Sequence, residues 1–356
     1  MSAVSNRTKA GTLKMGLAFA VAAGMALLSQ PVFGQADIHF SQFYETSILR
    51  NPALTGVFTD DYKLGVYYRN QWSSISNPFN TVLATAETHI QLSQVSDDFL
   101  SFGLLGVSDK AGSVEQKITG FYPAINYNKS VNTDHNTFLS VGFTGGYVQY
   151  SFDPGKTTFN NQYLNGKFDP VNPSMENLPN AKITMYDLGA GVNFNTSTGA
   201  GNATTWVIGG AVYHVTQPKF SYYQKPGITE NMRINVNGAM SSEITENVAL
   251  QVQANYALQG TYREILIGGL VNYTQLAMGT SEILKLGFGA FYRYQDAVIP
   301  VVRVNYMRLS LGISYDVNVS TLKEASDMQG GVEFTLFYTG NYSDKGIQKK
   351  TVCPKF

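Results

Sequence analysis

The chain has 356 residues, with 25 basic and 25 acidic side chains and a net charge of zero. That balance argues against general electrostatic capture of nucleic acid. Charged residues are 14% and aromatics 13%, the first well below the roughly 25% of a soluble domain, and a single cysteine excludes a disulfide framework.

Arg7, Lys9 and Lys14 precede an apolar run from Met15 to Leu28, and QPVFGQA follows with Val32 and Gly34 at small-residue positions. This predicts a secretory signal peptide over 1–34, cut after Gly34. The alternative is a short membrane anchor, but the run falls below the ~20 residues of a spanning helix. No cysteine stands just after it to carry a lipid. Residues 35–61 come next, apolar in DIHFSQFYETSILR and turn-forming in NPALTG and FTDDYK. The acidic pair in FTDDYK lacks the spacing of a calcium loop and reads as a turn.

From residue 62 the apolar period becomes two. Tyr62, Leu64, Val66 and Tyr68 share one face, and Lys63, Gly65, Tyr67 and Arg69 the other. The same alternation recurs in TFLSVGFTGGYVQY, in ENVALQVQANYALQG and in ILKLGFGAFYRYQ. In the third of these four segments the polar face is rich in amides. The pattern predicts strands over 62–70, 80–91, 99–108, 115–128, 136–150, 183–195, 204–215, 231–243, 247–259, 264–275, 283–294, 297–306, 309–316 and 331–339. A soluble sandwich shares the period, but its outer face carries more Lys and Glu. About fourteen strands, mostly long enough to span when tilted, with apolar outer and polar inner faces, predict an all-β transmembrane antiparallel barrel over 62–339. With a periplasmic N-terminus, the long gaps 151–182, 216–230 and 317–330 all fall on the outer side. Tyr62, Tyr68, Tyr127, Tyr147, Tyr150, Tyr213, Tyr294, Tyr306, Tyr315 and Tyr338 lie near strand ends and are expected in the aromatic girdles. The pattern fades beyond Tyr338, leaving 340–356 as a periplasmic tail that contains Cys353.

Chemical motifs are sparse. The four histidines, His39, His89, His135 and His214, show no zinc spacing, and GxSxG and phosphate-loop patterns are absent. His214 is expected at a strand end rather than in a barrel lipase dyad. No enzyme activity, metal or cofactor is expected. The inward phase places Lys63, Arg69, Glu87, His89, Lys285, Arg293, Arg303 and Glu333 in the lumen. There they pair across a filled barrel, line a solute path or, as the default, simply solvate a polar lumen.

DIHFSQFYETSILRNPALTG followed by YKLGVYYRNQWSSI resembles the N-terminal signature of the PorP/SprF family, and GGVEFTLFY with the terminal CPKF is similar to that family's end. The signature positions are Phe40, Phe43, Tyr44, Asn51, Pro52, Leu54, Arg69, Asn70, Gln71 and Trp72, with Cys353 at the end. The resemblance implies an outer-membrane component of the type IX secretion system of Bacteroidota, reached by Sec export and embedded in outer-membrane lipid. Its implied partners are secretion or gliding components and a secreted surface protein such as an adhesin, and no catalytic residue carries over. A diffusion porin or solute transporter is the alternative. Phe40, Phe43, Tyr44, Ile48 and Leu49 make the segment before the first strand too apolar for a free tail. It is expected either to dock, in the lumen or on a periplasmic partner, or to serve only as the start of the barrel.

Overall fold

The computed structural model describes residues 37–74, 77–92, 96–164, 166–176, 180–223, 225–276, 282–321 and 323–342. Fourteen strands among them close into one antiparallel barrel. They are β1 (Tyr62–Gln71), β2 (Phe79–Gln91), β3 (Phe99–Ala111), β4 (Gln116–Asn132), β5 (Thr137–Ser151), β6 (Lys182–Thr198), β7 (Thr204–Tyr213), β8 (Arg233–Glu243), β9 (Val248–Gln259), β10 (Tyr262–Leu276), β11 (Glu282–Arg293), β12 (Ala297–Tyr306), β13 (Leu309–Asn318) and β14 (Gln329–Gly340). Each strand pairs with its neighbours in sequence. β1 closes on β14 in unbroken register, from Tyr62 opposite Gly340 to Gln71 opposite Gly331. Closure pairs the backbone within the wall and leaves no sheet edge, as a hydrocarbon environment demands.

Every predicted strand coincides with an observed one. The largest difference is at the end of β4, expected to stop at Asn128 and running to Asn132. Asp98, just before β3, explains it. Its carboxylate accepts from the Ser130 amide at 2.9 Å and from Lys129 at 2.7 Å, holding a polar stretch in the ladder. Pairing lapses around Pro123 between β4 and β5 and around Pro300 between β12 and β13, because proline has no amide to donate.

The alternation sorts the wall into two faces. Leu64, Val66, Tyr68, Val252, Val271 and Phe288 are exposed on the outside, while Tyr67, Arg69, Gln251, Gln253 and Phe291 are buried in the lumen. Tyr68, Tyr127, Tyr147, Tyr294, Tyr306, Tyr315 and Tyr338 lie on the exposed surface. Tyr62 shares the outward parity of Leu64 but is half-buried, and the other two expected girdle tyrosines face inward. Tyr213 has the parity of buried Val207 and Ala211 and turns into the lumen. Tyr150 has the parity of buried Val148 and stacks edge-on against Phe220.

The connections 152–181, 214–232 and 319–328 all join an odd strand to an even one and so share one end of the barrel, here the loop end. The first carries a small hairpin pairing Tyr163–Leu164 with Lys167–Phe168. Ring contacts of Phe152 on Tyr222 and Tyr150 on Phe220 tie it to the second. The chain enters β1 at the opposite end. There the Asp61 carboxylate accepts from the Tyr342 amide, and the Asp61 carbonyl from the His89 amide and the Thr88 hydroxyl.

Candidate functional site: a plugged lumen

Residues 37–58 run through the inside of the barrel. The segment comprises a 3₁₀ turn (Phe43–Glu45), one helical turn (Ser47–Arg50) and a second 3₁₀ turn (Pro52–Leu54). The NPALTG sequence makes the last of these. Asn51 caps it by accepting from the Ala53 amide at 2.9 Å, and Pro52 takes the first position, where no amide is needed. Gly56 then turns the chain with φ +69°, a conformation glycine adopts without strain.

The wall is shaped for this segment. A Cβ at Gly142 of β5 would overlap the backbone at Pro52 and Ala53, and one at Gly191 of β6 would overlap the Asn51 amide oxygen. A Cβ at Gly103 would meet Thr55 and Ile48, and one at Gly312 would meet Gln42. Inward amides then receive the plug's backbone. Asn126 Nδ2 donates to the carbonyls of Ala53 and Thr55, Asn235 Nδ2 to those of Leu49 and Arg50. Asn51 donates to Asn237 at 2.9 Å and to the Val192 carbonyl at 3.0 Å. Tyr213 and Tyr67 hydroxyls reach the carbonyls of Ile48 and Glu45.

Apolar anchors fill two lumenal clusters. Phe40 and Ile48 pack with Tyr67, Leu83, Leu105 and Phe337, and Phe43 with Leu266, Leu270, Phe291, Ile299 and Val301. Burying each such side chain contributes about 1.5–3 kcal/mol. The ion pairs fix position more than they stabilise, because desolvation offsets most of their attraction. Arg69 bonds Glu333 and Asp316, each at 3.1 Å. Arg293 bonds Asp316 at 3.0 Å and Glu264 at 3.4 Å. The plug completes this group: the Ser41 amide donates to Glu333 at 2.6 Å, the Gln42 amide to its other oxygen at 2.9 Å, and the Ser41 hydroxyl to Asp316. Glu45 takes Lys63 at 3.0 Å and Arg303 at 2.7 Å.

The plug has a direction. Asp37 lies at the loop end, 2.7 Å from His214 just past β7 and 3.4 Å from Arg233 at the start of β8. Phe58 packs on His89 toward the other end. His214 is held between two carboxylates, Asp37 on Nε2 and Asp187 on Nδ1 at 2.9 Å. Burial would lower its pKa, but the two carboxylates push it up to about 10. With a carboxylate beside each ring nitrogen, the imidazole serves as a latch between Asp37 and Asp187.

The signature residues fall into three groups. Phe40, Phe43, Tyr44, Asn51, Pro52 and Leu54 belong to the plug; Tyr44 stacks on Phe291. Arg69 joins the ion network. Asn70 donates to Asn80 at 2.7 Å, and Trp72 leaves β1 and packs edge-on against Phe79. Gln71 is a half-buried end residue of β1. Lys63, Glu87, Arg293, Arg303 and Glu333 face the lumen, as does half-buried Lys285. Cys353 lies outside the described residues. Sequence reasoning missed Asp37, Glu45, Arg50, Asp187 and the amide row Asn126, Asn235 and Asn237. The density of inward-phase Asn beside strand glycines is the signal that marks a wall meant to grip backbone.

Comparison with known proteins follows this geometry. A search of curated proteins finds no match. The barrel is similar to the Ralstonia pickettii toluene transporter TbuX, with 9% identity, TM-score 0.51, and coverage of 83% of this chain and 93% of that one. A Pseudomonas aeruginosa FadL homologue aligns with 11% identity, TM-score 0.49, and coverage of 82% and 93%. At such identities the likeness concerns the barrel fold alone. The family described as type IX secretion system membrane protein PorP/SprF matches residues 32–338. The chain belongs to the PorP/SprF family of type IX secretion system membrane proteins.

Proposed function

We propose that this protein is an outer-membrane accessory of the type IX system that binds a cognate surface protein, such as an adhesin, and helps to secrete or anchor it. The supporting observation is the plug. A lumen crossed by residues 37–58 and held at both ends suits a protein-binding platform better than a diffusion pore. On this reading residues 1–34 are removed on Sec export, the long loops face the cell exterior, and the tail 340–356 stays in the periplasm. Exposed Tyr163, Leu164, Val171 and Met175 on the longest loop offer apolar contact area on the exterior side.

A native pull-down with mass spectrometry tests it. Secretion or gliding components, or a large surface protein, are expected to co-purify. Their absence, together with steady conductance of the reconstituted wild-type chain, would replace this reading with a solute channel.

A further inference from the structure

Beside the plug, the lumen keeps a small solvent-open cavity of about 100 Å³, below the roughly 300–1,000 Å³ of small-ligand clefts and sized for a single head group such as a carboxylate. Strand polarity locates it. Val207 lies near the start of β7, Gln251 and Gln253 near the start of β9, and Lys63 is the second residue of β1. All three strands begin at the end opposite the long loops.

The charges lining this cavity do not balance. Arg50, Lys63 and Arg303 stand against Glu45 and Glu87. Glu45 is shared by Lys63 and Arg303. Glu87 accepts from the Ser47 hydroxyl and the Gly56 amide. Neither carboxylate reaches Arg50, which is only 6% exposed. Its guanidinium touches neutral oxygens alone, those of the Gln253 side chain and of the Gly238 and Ala254 backbone. Its Nε–H has no acceptor. The Phe43 ring lies 5.1 Å away. A guanidinium stays protonated in proteins, so Arg50 is a cation at neutral pH. A buried guanidinium without a counter-ion is costly, and such charges are ordinarily paired. Among the described residues nothing pairs this one.

We propose that the cavity binds a carboxylate carried on an extended peptide entering from the end opposite the long loops, with Arg50 as the counter-ion. Leu54, Val57 and Phe58 also line the cavity and would flank the carboxylate, with the rest of the peptide lying outside it. The carboxylate is supplied either by a chain terminus or by an acidic side chain. The inference rests on the lumen geometry and stands whether or not the secretion reading does.

The test uses the full-length barrel in detergent and three fluorophore-labelled tripeptides, read by anisotropy: Ala-Val-Leu with a free C-terminus, the same peptide amidated, and amidated Ala-Val-Glu. At least one carboxylate peptide is expected to bind roughly tenfold more tightly than the peptide with none. If the free terminus is the source, the first binds; if a side chain, the third. Arg50→Gln should erase the preference while leaving the barrel folded. If that variant does not fold, Leu54→Trp, which fills the cavity and spares Arg50, should abolish binding. Equal binding of all three peptides, binding of none, or an unchanged preference in Arg50→Gln would overturn the proposal.

Discussion

Asn51 lies so close to Gly191 that a single added methyl group would overlap its amide oxygen. The contact lets the side chain reach both Val192 and Asn237, so one residue of the plug is gripped by two strands at a point with no room for adjustment. Gly191→Ala is therefore expected to destabilise the docked segment by about 1–3 kcal/mol, the usual cost of overpacking. Gly106→Ala is the control, since a Cβ there meets nothing. Limited proteolysis of residues 37–58 in the purified barrel checks it. Equal protection in both variants would show that the glycine is not needed for close packing.

The Asp37–His214 contact should respond to pH on the alkaline side. His214 is raised from 6.5 to about 10 by its two carboxylates, against the effect of burial. A raised base stabilises the folded form fully below 6.5, and that contribution is lost as pH climbs through about 10. The thermal midpoint of the wild type should fall across this window more steeply than that of His214→Gln. Identical slopes in the two proteins would remove the latch from the account.

Arg69 serves two buried carboxylates at once. Replacing it with methionine leaves Glu333 without its cation and Asp316 dependent on Arg293. Removing one partner of a buried pair typically costs about 3–5 kcal/mol. Asn70, one residue on, makes a single bond to the partly exposed Asn80, so Asn70→Ala should cost far less, about 1 kcal/mol. Denaturant titrations of the two variants distinguish a network that positions the plug from a polar lumen that tolerates any polar set.

The barrel itself was legible because its signal is local. Leu64, Val66 and Tyr68 against Tyr67 and Arg69 declare two faces within one short window, and lipid outside with a filled lumen inside keeps that period in every strand. The lumenal charges followed from the same parity. Their partners did not. Asp37 and His214 are 177 positions apart, and Ser41 meets Glu333 from 292 positions away, distances over which a sequence carries no pairing information. Tyr213 was misplaced for a related reason. Tyrosine suits an interface and a lumen equally, and only its parity with Val207 and Ala211 separates the two. The resemblance marked NPALTG as a signature, but only the glycines that receive Asn51 and Pro52 show why those residue types are required.

Exposure to lipid makes a separate prediction. Val252 and Val271 project outward from the middle of β9 and β10. Arginine at either should cost about 2–4 kcal/mol near the bilayer midplane and reduce folding into vesicles. Gln253→Arg should also be damaging, but for a different reason: Gln253 accepts from Arg50 at 3.0 Å, and a second cation there would face the first. Gln253→Glu should be milder than Gln253→Arg, because a carboxylate there would pair with Arg50, whereas Val252→Glu would still carry charge into the hydrocarbon.

Orientation is the last prediction. The three long connections lie at one end of the barrel, and outer-membrane barrels keep long loops outside and short turns in the periplasm. Val171, 86% exposed on the longest loop, and Gly199, at the tight turn between β6 and β7, therefore sit on opposite sides of the membrane. The native Cys353 is first replaced by serine so that each introduced thiol reports alone. Val171→Cys should then label on intact cells with a membrane-impermeant maleimide, and Gly199→Cys only after the outer membrane is opened. The reverse result would turn the barrel over, placing Asp37 and its latch in the periplasm and the Arg50 cavity at the cell surface. Labelling of both on intact cells would mean that the short-turn end is also accessible, which a single-pass orientation of this barrel does not allow.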